Sequence, residues 1–289
     1  MKKEDTKKKK TGKRHFIQLI AAVLYNCNIT GFMKGSIYKG SIKGLCVPGL
    51  NCYSCPGATA SCPLGSLQSG LISYRFRFPY YVLGTLILFG LLLGRVICGF
   101  LCPFGFLQDL LHKIPTPKIK KNKITGALTY LKYAVLVLFV ILVPVIRQVP
   151  GFCEYICPAG TLEAGIPLTA ANEALRAVTG VLFSWKVYIA VVILIVCVFC
   201  YRAFCRFLCP LGAVYSLFNP ISFFGIRVDQ DKCIHCNACV KACRMDVKKV
   251  CDRECIHCGK CRSVCPVDAI HYGVRKIHTD HNVVDIPRR

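Results

Sequence analysis

Residues 98–109 read CGFLCPFGFLQD and residues 205–216 read CRFLCPLGAVYS, each directly after a long apolar run. A third copy, CEYICPAGTLEA, begins at Cys153, and the shorter phrase Cys-Pro-x-Gly occurs at Cys62, Cys102, Cys157 and Cys209. So regular a pattern marks an internal repeat and not scattered core cysteines. A proline after the last cysteine suits the first turn of a helix, whose free N–H groups and positive dipole end favour a bound anion.

Working outward, the apolar runs at residues 79–97, 126–146 and 185–201 each approach the roughly 20 residues that cross a bilayer core of about 30 Å. Residues 15–33 form a weaker fourth run, because Asn26, Asn28 and Thr30 would need partners within the bundle. The competing reading of that run is a cleaved signal peptide, but no small-x-small cleavage site follows it. With 54% hydrophobic and 18% charged residues and a mean hydropathy of +0.48, the composition fits a membrane protein with a soluble appendage.

Lysine and arginine set the expected orientation. Residues 1–14 and the connector HKIPTPKIKKNK are rich in them, which places both termini in the cytoplasm and gives a multi-pass protein of the cell membrane; the loop with Lys34, Lys39, Lys43, Arg75 and Arg77 is basic too. The net charge of +24 is read as topology anchors facing an anionic lipid surface, not as a nucleic-acid footprint.

Residues 233–243 (CIHCNACVKAC) and 255–266 (CIHCGKCRSVCP) both carry C-x2-C-x2-C-x3-C, the spacing that holds two [4Fe-4S] clusters with the fourth cysteine crossing to the other cluster. Cys233, Cys236, Cys239 and Cys265 are expected to hold one cluster, and Cys255, Cys258, Cys261 and Cys243 the second. A zinc ribbon would use two cysteine pairs instead. Arg244 stands where proline is usual, and His235 and His257 occupy matching positions, read as exposed residues that tune potential.

The topology puts Cys98, Cys102, Cys205 and Cys209 together at the inner face, where pseudo-twofold packing of two halves gathers four thiolates for a further [4Fe-4S] cluster. Acylation, plain packing and disulfides compete with that reading. Cys46, Cys52, Cys55, Cys62, Cys153 and Cys157 fall outside. Of these, Cys52, Cys55, Cys62, Cys153 and Cys157 are candidate metal ligands, with disulfides the alternative. Cys27, Cys197 and Cys200 are read as packing residues, and Cys251 lies between the ferredoxin motifs. Arg95, Arg202 and Arg206 either offset cluster charge or anchor the inner face.

The expected architecture is an all-α polytopic membrane domain followed by a small α+β two-[4Fe-4S] ferredoxin-like domain: a basic tail (1–14), four membrane helices in two halves with the CxxxCP repeats (15–220), and the ferredoxin domain (221–289). The combination of paired CxxxCP motifs and a two-cluster tail, from Val82 to Ile270, resembles the NapH/NosR-type membrane polyferredoxins. The resemblance implies an electron-transfer subunit linking quinol, cytoplasmic carriers and an extracytoplasmic reductase system. The outer cysteines depart from the NapH pattern.

No C-x-x-C-H, G-x-G-x-x-G or P-loop occurs, so covalent haem, NADH oxidation and ATP hydrolysis by this chain are not expected. The few ionisable residues in the spans argue against an ion pump. The expected function is a membrane iron-sulfur relay that catalyses no bond chemistry alone, with a ferredoxin-like protein or flavoprotein on one side and an acceptor on the other. A quinol dehydrogenase subunit using quinone, and a thiol sensor or metal-assembly protein, are the rival readings.

Overall fold

In a computed structural model the chain is mostly helical, and residues 2–72, 79–119 and 121–275 are described. Arg75, Arg77, Lys120 and the segment from residue 276 onward lie outside them.

Helix α1 (Lys2–Tyr25) opens the fold. It stops before the polar stretch that sequence reading carried to residue 33, and that stretch has found partners. Asn26 Nδ2 donates to Asn51 Oδ1 at 3.0 Å, Asn28 Nδ2 to Pro56 O at 2.9 Å, and Thr30 Oγ1 to Asn28 Oδ1 at 2.8 Å. A short helix (Ile29–Lys34), a helical turn (Ser41–Gly44) and a loop then lead into α2 (Pro63–Ile72). Next comes α3 (Tyr80–Leu93), whose 14 residues make a helix of about 21 Å. It ends before Arg95, so the apolar run at 79–97 is not one continuous helix.

After α4 (Val96–Phe100) and α5 (Pro103–Leu111) come, among the described residues, the two helices long and apolar enough to cross a membrane: α6 (Lys123–Arg147) and, further on, α9 (Val181–Phe199). Helix α6 is not uniform. Pro144 has no N–H to return to the preceding turn and its ring crowds the carbonyl there, and the chain widens into a π-helix at Leu136–Leu142. Between them, α7 (Gly151–Tyr155) is followed by a helix over residues 158–171, here α8, which widens in the same way at Thr161–Gly165 just before Pro167.

Helices α10 (Ala203–Phe207) and α11 (Pro210–Phe218) close the helical part. Strands β1 (Phe224–Val228) and β2 (Ile270–Val274) pair antiparallel, Phe224 opposite Val274 and Val228 opposite Ile270. They bracket both C-terminal cysteine motifs, with the short α12 (Ala238–Lys241) between them. One core runs through all of this: Leu50, Cys62, Cys98, Cys102, Cys157, Cys205, Cys209 and Ile256 belong to a single buried cluster.

Candidate iron-sulfur centres

Each Cys-Pro-x-Gly phrase makes the same local structure. Cys102, Cys157 and Cys209 are N-caps in extended conformation with proline at the next position, and each sulfur accepts the N–H of the glycine three residues on, at 3.4 Å in all three. Gly65 N–H does the same for Cys62. Proline costs nothing there, since its missing N–H would be unpaired anyway. Sulfur at the cap thus sits at the positive end of a helix.

The four capping cysteines fall into two groups. Cys102 and Cys209 lie in the field of Cys98 and Cys205, forming a proximal quartet next to the C-terminal motifs. Cys157 lies in the field of Cys153 and Cys62, and Cys52 in that of Cys157 and Cys62. A Cβ on Gly160 would stand 3.8 Å from the sulfurs of both Cys52 and Cys157. These four make a distal quartet. Cys55 stands apart, its sulfur donating to Asn26 Oδ1 at 3.5 Å, and Cys46 belongs to neither group.

In the C-terminal part, Cys233, Cys236, Cys239 and Cys265 line one cavity of about 240 Å³, with Ile226 and Val240 among its walls. Cys265, which comes from the second motif, lines the cavity with the three cysteines of the first. Cys261 lies in the field of Cys258 and Cys243, and Cys255 in that of Cys258 and Cys261.

Among the described residues no three His, Cys, Asp or Glu side chains are placed to share one metal ion. A cubane asks for something else, four thiolates around a cluster with one iron for each. The donor chemistry fits it. Burial pushes the thiols of Cys102, Cys205 and Cys209 up, as it does those of Cys52, Cys62 and Cys157 and, to about 12, that of Cys153. Buried thiolates without a cation are disfavoured, and an iron core supplies the missing positive charge. Beside the distal quartet, Asn51 is fully buried and its side-chain amide Nδ2 has no partner among the described residues, leaving a donor for an anionic group.

The three arginines read from sequence as surface anchors or charge offsets are buried and paired. Arg95 donates to Glu254 Oε2 at 2.7 Å, and Lys132 of α6 pairs with the same carboxylate. Arg202 holds Asp109 with two bonds, at 2.8 and 2.5 Å, and Arg14 pairs with Asp109 as well. Arg206 pairs with Asp246. Burial would raise the Asp109 and Glu254 carboxyls, but these cations outweigh it and hold both below the ordinary carboxylate range. Arg95 and Arg202, each three residues before a CxxxCP pair, also exchange partners. Arg95 Nη2 donates to Cys205 O at 3.3 Å and Arg202 Nη1 to Cys98 O at 2.6 Å.

His235 is exposed, but His257 is fully buried, which corrects the reading of both as exposed. Burial, with Arg227 and Arg95 nearby, pulls the His257 pKa down to about 3. The neutral ring accepts Ile226 N–H at Nδ1 (2.8 Å), and Nε2 faces Asn219 Oδ1 at 2.9 Å. Because a backbone N–H can only donate, the proton sits on Nε2 and is given to Asn219. Asn219 in turn donates to Asp252 O and Cys255 O and accepts Arg95 N–H, fastening the C-terminal motifs to the helices. Nearby, a Cβ on Gly99 would lie 2.2 Å from Ile256 O, so the backbone beside Cys98 touches that beside Cys255.

Comparison with known proteins points to iron-sulfur binding. A family model described as a 4Fe-4S binding domain matches residues 78–122, 133–166 and 185–226, and a second of the same description matches 226–249 and 252–271. An uncharacterized protein of Methanocaldococcus jannaschii is 32% identical over 57% of this chain and 64% of its own length. YccM of Escherichia coli, assigned by name to electron transport, is 27% identical over 64% of this chain and 52% of its own length. The regulatory protein NosR of Pseudomonas aeruginosa is 28% identical over 54% of this chain and 21% of its own. The chain therefore spans just under two thirds of the first relative and about half or less of the other two. No solved structure matches it. The chain is therefore built of 4Fe-4S binding domains and is similar to the NosR/NapH-type polyferredoxins.

Proposed function

We propose that the chain carries electrons across a membrane through four [4Fe-4S] sites: Cys233/Cys236/Cys239/Cys265, Cys255/Cys258/Cys261/Cys243, the proximal quartet and the distal quartet. A [4Fe-4S] cluster supplies one-electron chemistry over a wide range of potentials. The protein's part is to hold the thiolates, exclude water and keep successive sites close.

The observation that carries this reading is that cysteines of three of the four groups, the second ferredoxin site and both quartets, belong to or pack against a single buried core. The Gly99–Ile256 contact joins the second ferredoxin site to the proximal quartet. The proximal and distal quartets are joined by the segment around Pro48. A Cβ on Gly49 would stand 3.2 Å from Cys102 Cα, and Tyr215, fully buried in the field of Cys98 and Cys62, donates its hydroxyl to Pro48 O at 2.9 Å. Sites at opposite faces of a core about 30 Å thick would be too far apart for one comfortable step; on this reading the segment around Pro48 brings the two quartets closer.

The exchanged contacts of Arg95 and Arg202 support two pseudo-symmetric halves, with the run at residues 15–33 and the short α3 completing four crossings. Both termini face the cytoplasm on the balance of basic residues. The basic tail (1–14), membrane domain (15–220) and ferredoxin domain (221–289) then have separate tasks. A ferredoxin-like protein or flavoprotein meets the C-terminal sites, and an acceptor meets the distal side.

The test uses the full chain in sealed vesicles with its C-terminal motifs outside. External reduced ferredoxin should reduce an impermeant acceptor trapped in the lumen, and the protein should carry about sixteen irons. Replacing Cys153 and Cys157 by serine should abolish lumenal reduction while the C-terminal sites still accept electrons. Lumenal reduction at the parent rate in that variant would overturn the proposal.

A further inference from the structure

The sixth residue after each capping cysteine is Gln68, Gln108, Glu163 or Tyr215. In three of the four it reaches the first cysteine of the opposite motif through a hydrogen bond. Gln108 Nε2 donates to Cys205 Sγ at 2.9 Å, Gln68 Nε2 donates to Cys153 Sγ at 3.2 Å, and Glu163 Oε2 accepts Cys52 N–H at 2.7 Å. Tyr215, in the fourth, lies in the field of Cys98. The rule makes Cys52 the counterpart of Cys98, Cys153 and Cys205, although nine residues and not three separate it from its capping cysteine.

The two glutamines are held in matching ways. Both are fully buried, and both also donate to the carbonyl one turn back, Gln68 to Leu64 O at 3.2 Å and Gln108 to Phe104 O at 3.4 Å. Phe152 N–H donates to Gln68 Oε1 at 3.0 Å, while Cys205 N–H and the Cys197 thiol face Gln108 Oε1 at 3.5 and 3.4 Å. Backbone N–H groups can only donate, so the side-chain oxygen is fixed on that side and the NH2 group is fixed toward sulfur. Cys197, which packing alone would explain, thereby orients Gln108.

We propose that Gln108 and Gln68 are matched positioning residues that set the reduction potentials of the proximal and distal centres, each by donating one N–H to a cluster thiolate. The inference rests on the cluster reading above. A donor to a thiolate sulfur stabilises the more negative, reduced state and so raises the potential.

The test is an EPR-monitored redox titration of the full chain with Gln108→Leu and Gln68→Leu. Each should lower the reduced fraction of its own centre about tenfold at fixed poise, a shift of about 59 mV for one electron, and leave the other centre unmoved. In the parent, pulsed EPR with 15N-labelled glutamine side chains should show a nitrogen coupled to each centre, lost in the matching variant. Should leucine prevent folding, Gln108→Glu and Gln68→Glu keep the shape and should lower the potential further, by replacing a donor with an acceptor. Iron content unchanged with potentials and couplings also unchanged would overturn this inference alone. A parent protein with no proximal or distal signal would overturn the cluster reading and this inference with it.

Discussion

Around the proximal quartet the charged neighbours are Arg95 and Arg202, both fully buried, each reaching a cysteine carbonyl and each tied to a carboxylate. Around the distal quartet they are Glu163, bonded to Cys52 N–H and with its carboxyl pushed up to about 7 by burial, Lys43, whose Nζ donates to Ala58 O at 2.6 Å and which lies in the field of Cys55 and Cys52, and Lys186, whose field reaches Cys153. The two sites share capped helices and matched glutamines but differ in the charge built around them. Cations stabilise a reduced, more negative centre and a carboxylate opposes it. On the cluster reading proposed above, the same scaffold would serve two centres of different potential; the proximal quartet is also bolted to the C-terminal motifs through Glu254 and Asn219.

The strongest way to break that contrast is to remove a carboxylate from the proximal side. Asp109 compensates Arg202 and Arg14 at once. Asp109→Ala would leave Arg202 buried and unpaired, at a cost of about 3–5 kcal/mol. Thermal unfolding in detergent should show that loss. Glu163→Gln on the distal side, where one hydrogen bond is weakened and no buried cation is orphaned, should cost far less. Equal destabilisation would mean the two sites do not differ in the way their charges suggest.

Gly99 tests the joint between the proximal quartet and the C-terminal motifs. A Cβ there meets a backbone oxygen at 2.2 Å, and backbone does not yield as a flexible side chain would. Gly99→Ala should cost about 1–3 kcal/mol and slow electron transfer from the C-terminal sites to the proximal one in stopped-flow reduction. The distal quartet, joined to the rest through Pro48 and not through Ile256, should keep its iron. Reduction of the proximal site at the parent rate would show that the contact is incidental to transfer.

The cysteine phrases and the crossed ferredoxin spacing were legible because their chemistry is local: the cap bond spans three residues and the ligand triplets seven. What escaped was non-local. Arg95 and Arg202 near the ends of apolar runs read as anchors, since their carboxylates lie 159 and 93 residues away. Gln68 and Gln108 gave no signal, because a glutamine on a helix is ordinarily solvated and their sulfurs come from motifs 85 and 97 residues distant. The matching sites of His235 and His257 hid a difference in cover: Ile226 of β1 and Asn219 close over only the second. Sequence reading kept both Cys52 and Cys55 as candidate ligands, and only the geometry tells them apart.

That last distinction yields the smallest and sharpest prediction. Sequence reading counts five distal cysteines as candidate ligands, whereas the geometry selects Cys52, Cys62, Cys153 and Cys157 and turns Cys55 toward Asn26. Cys55→Ser keeps a donor for Asn26 Oδ1 at nearly the same volume, so stability should change by no more than about 0.5 kcal/mol. Iron content and the distal EPR signal should stay as in the parent. Cys52→Ser replaces a thiolate with a poor ligand for iron and should remove the distal signal while the proximal one persists. If Cys55→Ser removed the distal signal and Cys52→Ser left it, the equivalence of Cys52 with Cys98 would be wrong, and the nine-residue gap would have to close around a different sulfur.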